Sequence, residues 1–216
     1  MATVAGRARL DLGKLLMVPA AGAILVFDVL ALAHGGPHGA VGALQLFGAV
    51  LTCAFYALVI WCYLRRGVAI ATSRSVTAHT AAVVATWTPF VYPMLRGTSP
   101  GAGQQGVSDL LLIAGMTWSV WSLRFLGRNI SVLAQARDLA DRGPYRWVRH
   151  PLYTGEIVAS LGLVLAANSV AAAAVWLGTC GLQAYRAFRE EQVLLQALPG
   201  YRAYRGRTAA LLPGIF

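Results

Sequence analysis

Six apolar runs follow one another along the 216-residue chain, at 15–33, 41–64, 79–95, 107–126, 152–167 and 170–188, and they leave room for little else. A helix needs about 20 mostly apolar residues to cross the hydrocarbon of a bilayer. In lipid every backbone amide must also find its partner inside the segment, which restricts such runs to helices. The expected fold is therefore an all-α integral membrane protein with about five to six transmembrane helices. Composition agrees, with 57% hydrophobic and only 12% charged residues. Gly35, Gly36 and Pro37 break the first pair of runs, and Pro100, Gly101 and Gly103 break the third from the fourth. The fifth and sixth are separated only by Asn168 and Ser169, which predicts a tight C-terminal helical hairpin whose first arm is short for a span.

The charges give a second reading of the topology. Arg7, Arg9 and Lys14 precede the first run; Arg65, Arg66 and Arg74 follow the second; Arg128, Arg137, Arg142, Arg146 and Arg149 follow the fourth; and Arg186, Arg189, Arg202, Arg205 and Arg207 close the chain. If the runs alternate, all four groups fall on one side, and the opposite connections hold only Arg96. The positive-inside rule then puts both termini in the cytoplasm. The net charge of +10 is read as loop arginines facing anionic headgroups rather than as a nucleic-acid surface. Arg far outnumbers Lys and Ala is abundant, which points to a bacterial cytoplasmic membrane. Cys53, Cys62 and Cys180 sit in apolar stretches without CxxC spacing or a His pair, so neither a disulfide framework nor a metal site is expected. Asp28 and Glu156, inside runs, must each face protein, water or a partner. Pro19, Pro89 and Pro93 are expected to kink their helices.

Residues with chemistry collect where the longest polar connection enters the fifth run. Gly143-Pro144-Tyr145-Arg146-Trp147-Val148-Arg149-His150-Pro151-Leu152-Tyr153-Thr154-Gly155 packs aromatic, basic and helix-starting residues together. Pro151 suits the first turn of a helix, where a missing N–H costs nothing. His150 then lies beside free amide donors and a positive dipole end, a place that holds carboxylates well. If the last two runs form a hairpin, Glu190 and Glu191 return to the same end, near His150 and Tyr153, with Tyr201, Tyr204, Pro213 and Gly214 beyond. The glutamates could hold a cofactor's amino group, hydroxyls or a cationic centre; salt bridges to Arg186 or Arg205 are the plainer alternative.

The pattern Arg149-His150-Pro151-x-Tyr153-x-Gly155, preceded by Gly143-Pro144-Tyr145 and followed by Glu190-Glu191, resembles the isoprenylcysteine carboxyl methyltransferase and phospholipid methyltransferase superfamily. Leu126-Gly127-Arg128-Asn129-Ile130-Ser131 is similar to the segment that precedes this motif in bacterial relatives. The resemblance covers about residues 120–216. It implies an S-adenosylmethionine pocket on the cytoplasmic side, built by Tyr145, His150, Pro151, Tyr153 and Gly155 with Glu190 and Glu191, in which Arg149 and Glu190 carry the catalytic roles. It also implies a division into N-terminal helices, 1–126, as scaffold or substrate lining, and a catalytic region, 127–216. The expected partners are membrane lipids and a lipophilic or small-molecule methyl acceptor. Two other classes fit the composition, an NADPH-dependent sterol-type reductase and a non-catalytic membrane protein. The glutamate pair and the Arg-His-Pro spacing argue against the first. The second would place polar residues deep in several spans rather than at one interface.

Overall fold

The computed structural model describes residues 12–34, 39–67, 69–73 and 75–212. Arg7, Arg9, Arg74, Pro213 and Gly214, and the break at Gly35, Gly36 and Pro37, lie outside the described residues. Helices account for the apolar runs: α1 (Leu12–Ala33), α2 (Gly39–Arg65), α3 (Val76–Trp87), α4 (Ala102–Leu126), α5 (Pro151–Ala167) and α6 (Val170–Ala197), with a short α7 (Tyr201–Arg205) in the tail. Among the described residues three segments are long and apolar enough to cross a membrane, Gly13–Leu30, Gly42–Arg65 and Ala102–Asn129, and α5 is a shorter apolar helix. One two-residue ribbon is added to the helices. Strand β1 (Ala71–Thr72) pairs antiparallel with β2 (Gln135–Ala136), tying the connection after α2 to the one after α4.

The third run is not one continuous helix. Ser75 caps α3, its Oγ accepting from the Ala78 amide at 3.3 Å. The α-helix ends at Trp87 and gives way to two 3-10 turns, Thr88–Phe90 and Tyr92–Leu95, each with a proline near its start. Pro89 and Pro93 supply no N–H and collide with the preceding turn, so they end the helix rather than merely bend it. Twelve α-helical residues rise only about 18 Å. The 3-10 turns carry the chain on to the far end of the bundle, where the Gly97 amide donates to Ala167 O at 2.8 Å.

The C-terminal half rests on an unusually close pairing of α4 with α5. A Cβ added to Gly115 would lie 2.3 Å from the Ala159 backbone nitrogen, and one added to Gly155 would lie 2.3 Å from Ser119 Oγ. Only glycine permits the two backbones to approach this closely. Ser108 Oγ donates to Gly162 O at 2.7 Å across the same seam. The expected hairpin of α5 and α6 is present. Asn168 makes its turn in the left-handed region (φ 47°), a conformation asparagine tolerates, and its side chain is held by Gln104 Nε2 at 3.0 Å and Thr98 Oγ1 at 2.8 Å. Between the hairpin's arms Gln183 Nε2 donates to Glu156 Oε2 at 2.7 Å, so Glu156 faces protein as expected. Asp28 has one oxygen buried without a hydrogen-bond partner among the described residues. Cys53, Cys62 and Cys180 are free thiols.

The basic connections converge on one end of the bundle, but not all their arginines face outward. Arg66, Arg137, Arg149 and Arg186 are each less than a tenth exposed. The headgroup-facing assignment therefore does not hold for these four. Their guanidinium groups are drawn inward by backbone carbonyls that helix ends and turns leave unpaired. Arg66 Nη1 reaches Ile130 O at 3.5 Å, Arg137 Nε donates to Gly67 O at 3.0 Å, and Arg186 Nη2 lies 3.4 Å from Val132 O.

Candidate active site

The polar connection from 127 to 150 is pinned from below before it reaches the site. The Val132 amide donates to the hydroxyl of Tyr63 on α2 at 2.8 Å, and Arg128 Nε caps Arg65 O at 3.0 Å. Gly143, at φ 58°, then turns the chain into a 3-10 segment, Gly143–Arg146. Beyond it the backbone is extended and pairs with the tail. The Arg149 amide donates to Ala209 O at 2.8 Å, the His150 amide to Ala210 O at 3.1 Å, and the Ala209 amide returns to Trp147 O at 3.1 Å. Pro151 opens α5, as its missing donor favours, and His150 is the cap residue.

This strand-like pairing delivers Arg149 and His150 to the end of α6, where Glu191 waits. Arg149 Nε donates to Glu191 Oε1 at 2.6 Å, His150 Nε2 lies 3.3 Å from the same oxygen, and Arg205 Nε lies 3.2 Å from Oε2. Arg149 also donates through Nη1 to Arg205 O at 3.0 Å and to Thr208 O. One buried carboxylate thus locks the Arg-His-Pro segment, the end of α6 and the tail together. The plainer salt-bridge alternative holds for Glu191 toward Arg205. Burial alone would raise the Glu191 carboxyl, but the hydrogen bonds from His150 and Arg149 and their charges outweigh it and hold it at about 2. The sign follows from linkage. The unfolded carboxyl titrates near 4.5, so the stabilisation is complete above that pH and is lost as pH falls toward about 2. Thermal unfolding of the detergent-purified protein is expected to show this acid limb, and Glu191→Gln is expected to flatten it.

Glu190, one residue earlier, is turned to different neighbours. Its Oε2 accepts from the Tyr153 hydroxyl at 2.8 Å and lies 3.9 Å from His150 Nδ1. The His150 and Tyr153 rings stack, 5.4 Å apart and 4° from parallel, and the guanidinium of Arg186 lies 4.7 Å from the centre of the Tyr153 ring.

Two clefts meet at Glu190. The larger encloses about 440 Å³ open to solvent and is lined by Asn129, Gln135, Arg137, Tyr145, Arg149, His150, Tyr201 and Tyr204 along with Glu190. The smaller, about 200 Å³, is lined by Ala78 and Ala82 of α3, by Val132 and Ala134, and by Tyr153, Arg186, Arg189 and Glu190. Burial, and then the charge of Glu190, push the Tyr145 phenol well above its usual range, so it stays a neutral group. Two polar atoms of residues on the larger cleft, Arg137 Nη1 and Tyr201 Oη, are buried without a hydrogen-bond partner among the described residues.

Of the residues singled out in the sequence, Tyr145, Arg149, His150 and Glu190 line the larger cleft and Tyr153 the smaller one. Glu191 stands behind them as the anchor. Pro151 is fully buried at the start of α5, and Gly155 packs on Ser119 of α4, away from either lining. Sequence reasoning counted Arg137 only as a loop charge, and Arg186 as a loop charge and a salt-bridge candidate. Neither belongs to the compound motif, and only the fold brings them to the clefts.

Comparison with known proteins bears on the same half of the chain. The phospholipid methyltransferase family model matches residues 104–199. The cobalt-zinc-cadmium resistance protein CzcN of Cupriavidus metallidurans is 35% identical over 112 residues, which are 50% of this chain and 51% of that protein. The chain thus spans about half the length of that curated relative. Among solved structures, the eukaryotic intramembrane Ras methyltransferase, isoprenylcysteine carboxyl methyltransferase, superposes with a TM-score of 0.52 at 17% identity. That superposition covers 95% of this chain and 87% of the other, and at this identity it speaks for a shared fold.

Proposed function

We propose, from the match of residues 104–199 to the phospholipid methyltransferase family model, that this chain is a membrane methyltransferase of the isoprenylcysteine carboxyl and phospholipid methyltransferase superfamily, transferring the methyl group of S-adenosylmethionine to a lipidic or small thiol or carboxylate acceptor at the membrane. The observation that carries the reading is Glu190, the one carboxylate shared by both clefts, with donor and acceptor assigned to one each. The larger cleft fits the cofactor. It offers carboxylates for a cationic centre in Glu190 and Asp138, and aromatic side chains in Tyr145, Tyr201 and Tyr204.

The chemistry supplied by the cofactor, when bound, is an activated methyl group on a sulfonium with a neutral leaving group. What remains for the protein is in-line positioning and exclusion of water. Glu190, held by Tyr153, faces the place where the two reactants meet. Arg149 and Glu191 keep His150 and the start of α5 rigid, and the Gly155 contact with Ser119 sets α5 against α4. The smaller cleft, between α3 and α6, offers an apolar floor in Ala78 and Ala82 and cations in Arg186 and Arg189, which suits an acceptor arriving from the bilayer. The larger cleft is lined entirely from residue 126 onward, which supports a catalytic region at 127–216 on a scaffold of the first helices. Both termini are assigned to the cytoplasmic side.

Calorimetric titration of the detergent-purified protein with S-adenosylhomocysteine, with NADPH as control, tests the proposal. Binding of the first alone is the expected result. Binding of NADPH alone would move the site to reductase chemistry, and no binding of either would remove the catalytic reading.

A further inference from the structure

The last turns of α4 carry a ladder of aromatic rings that takes no part in either cleft. Trp118, Trp121 and Phe125 recur at helical spacing on one face of the helix. The Trp118 and Trp121 rings meet edge to face at 5.3 Å, and Trp121 lies 6.2 Å from Phe125 and 5.8 Å from Trp147. Trp147 arrives from the 3-10 segment Gly143–Arg146, which is pressed flat on the helix: a Cβ added to Gly143 would lie 2.5 Å from the Phe125 ring. The Trp147 carbonyl accepts from the Ala209 amide at 3.1 Å, so backbone pairing with the tail fixes this residue in place. At its outer end the ladder is open. Phe125 is 45% exposed and Trp147 47%. Arg124 and Arg146 stand exposed beside them, and no ion pair includes either among the described residues. The Arg146 guanidinium lies 5.3 Å from the centre of the Trp147 ring.

Rings with an apolar body and a wet end belong where hydrocarbon gives way to headgroups. Trp121 lies about 7.5 Å and Trp118 about 12 Å along the helix axis from Leu126, the end of α4. The ladder therefore runs from headgroup level into the acyl chains, and its two arginines sit only at the outer end. Rings below and unpaired cations above match the two parts of an anionic lipid. A guanidinium resting on an indole keeps its N–H edges free, and their fork suits a phosphate. We propose that this facet is a binding site for an anionic phospholipid of the leaflet on the side of the clefts, with the lipid phosphate at Arg124 and Arg146 and an acyl chain along Trp147, Trp121 and Trp118. A zwitterionic lipid brings its own cation to the same place and gains less from the arginines. The site stands apart from the methyltransferase reading, since none of its residues lines a cleft.

Native mass spectrometry of the full chain, released from mixed micelles holding phosphatidylglycerol and phosphatidylcholine in equal amounts, tests it. Wild type is expected to retain phosphatidylglycerol preferentially. The double variant Arg124→Gln/Arg146→Gln is expected to lose about ten- to thirtyfold of that retention, from two arginines at the membrane surface. The control Arg96→Gln/Arg202→Gln removes the same charge from exposed positions away from the ladder and is expected to stay within about twofold of wild type. Trp147→Ala is expected to weaken both lipids, because the ring serves the chain as well as the arginine. Matching unfolding temperatures in lipid-free detergent report an intact fold in each variant. Soluble glycerol phosphate is expected to displace none of the lipid. Equal losses in the two double variants would overturn the proposal by reducing it to net charge, and so would no loss in either. Equal retention of the two lipids by wild type would overturn it as well, as would displacement by glycerol phosphate, which would make this a free-phosphate site.

Discussion

Arg149→Ala is expected to destabilise the protein by about 3–5 kcal/mol, the range for breaking a buried ion pair from one side. Arg149 is 8% exposed and Glu191 7%, so neither charge has bulk water to fall back on. The guanidinium joins three separate pieces of chain: its own segment at the start of α5, Glu191 at the end of α6, and the tail carbonyls of Arg205 and Thr208. Truncation strands two of those acceptors and part of the carboxylate charge. Arg205 Nε, 3.2 Å from Glu191 Oε2, keeps the carboxylate from being wholly abandoned and sets the loss toward the lower end of the range. Arg149→Lys separates positioning from chemistry. A lysine restores the charge without the fork, so it is expected to recover part of the stability while leaving S-adenosylhomocysteine affinity close to wild type. Thermal unfolding in detergent measures the first effect and calorimetry the second. An Arg149→Ala protein that melts within 1 kcal/mol of its parent would show that the tail and the hairpin hold together without this pair.

The same pair shows what the sequence could and could not disclose. The apolar runs announced the helices because lipid leaves the backbone no alternative. Asn168-Ser169, too short for any other connection, announced the hairpin that brings Glu190 and Glu191 back to His150. The local motif placed Pro151 at the first turn of α5. What local signals could not reveal was division of labour between adjacent glutamates. On a helix, neighbours point about 100° apart, so Glu191 turns inward to Arg149 while Glu190 turns to Tyr153 and the clefts. Nor could hydropathy show that Pro89 and Pro93 break the third run into an α-helix and two 3-10 turns, since the apolar count is unaffected by how the backbone is hydrogen-bonded. The basic loops gave the sharpest difference. Counting charges assigns them to headgroups, but Arg66, Arg137, Arg149 and Arg186 are buried, each drawn in by acceptors distant in sequence. Such long-range pairings leave no periodic trace.

Glu190→Gln is expected to discriminate between two forms of the same cofactor. Glutamine keeps an acceptor for the Tyr153 hydroxyl, now 2.8 Å from Glu190 Oε2, and nearly the same volume, so the fold around the cleft is preserved. What it removes is a negative charge. S-adenosylmethionine carries a sulfonium that S-adenosylhomocysteine lacks, and a charge-assisted contact is worth about 1.5–3 kcal/mol. If the Glu190 carboxylate faces the sulfonium, affinity for S-adenosylmethionine falls by about ten- to a hundredfold while affinity for S-adenosylhomocysteine changes by less than about threefold. If it instead holds the α-ammonium, which both molecules possess, the two fall together. Equal affinities for both ligands in wild type and variant would place Glu190 outside the cofactor's charge shell and return it to the acceptor side, in the cleft it shares with Arg186 and Arg189. The first result has a further consequence for turnover. A carboxylate that favours the sulfonium over the thioether binds the reactant more tightly than the product, so it promotes product release more than the methyl transfer itself. The variant is then expected to show a raised KM for S-adenosylmethionine together with stronger relative inhibition by S-adenosylhomocysteine, a pairing that loss of folded protein would not produce.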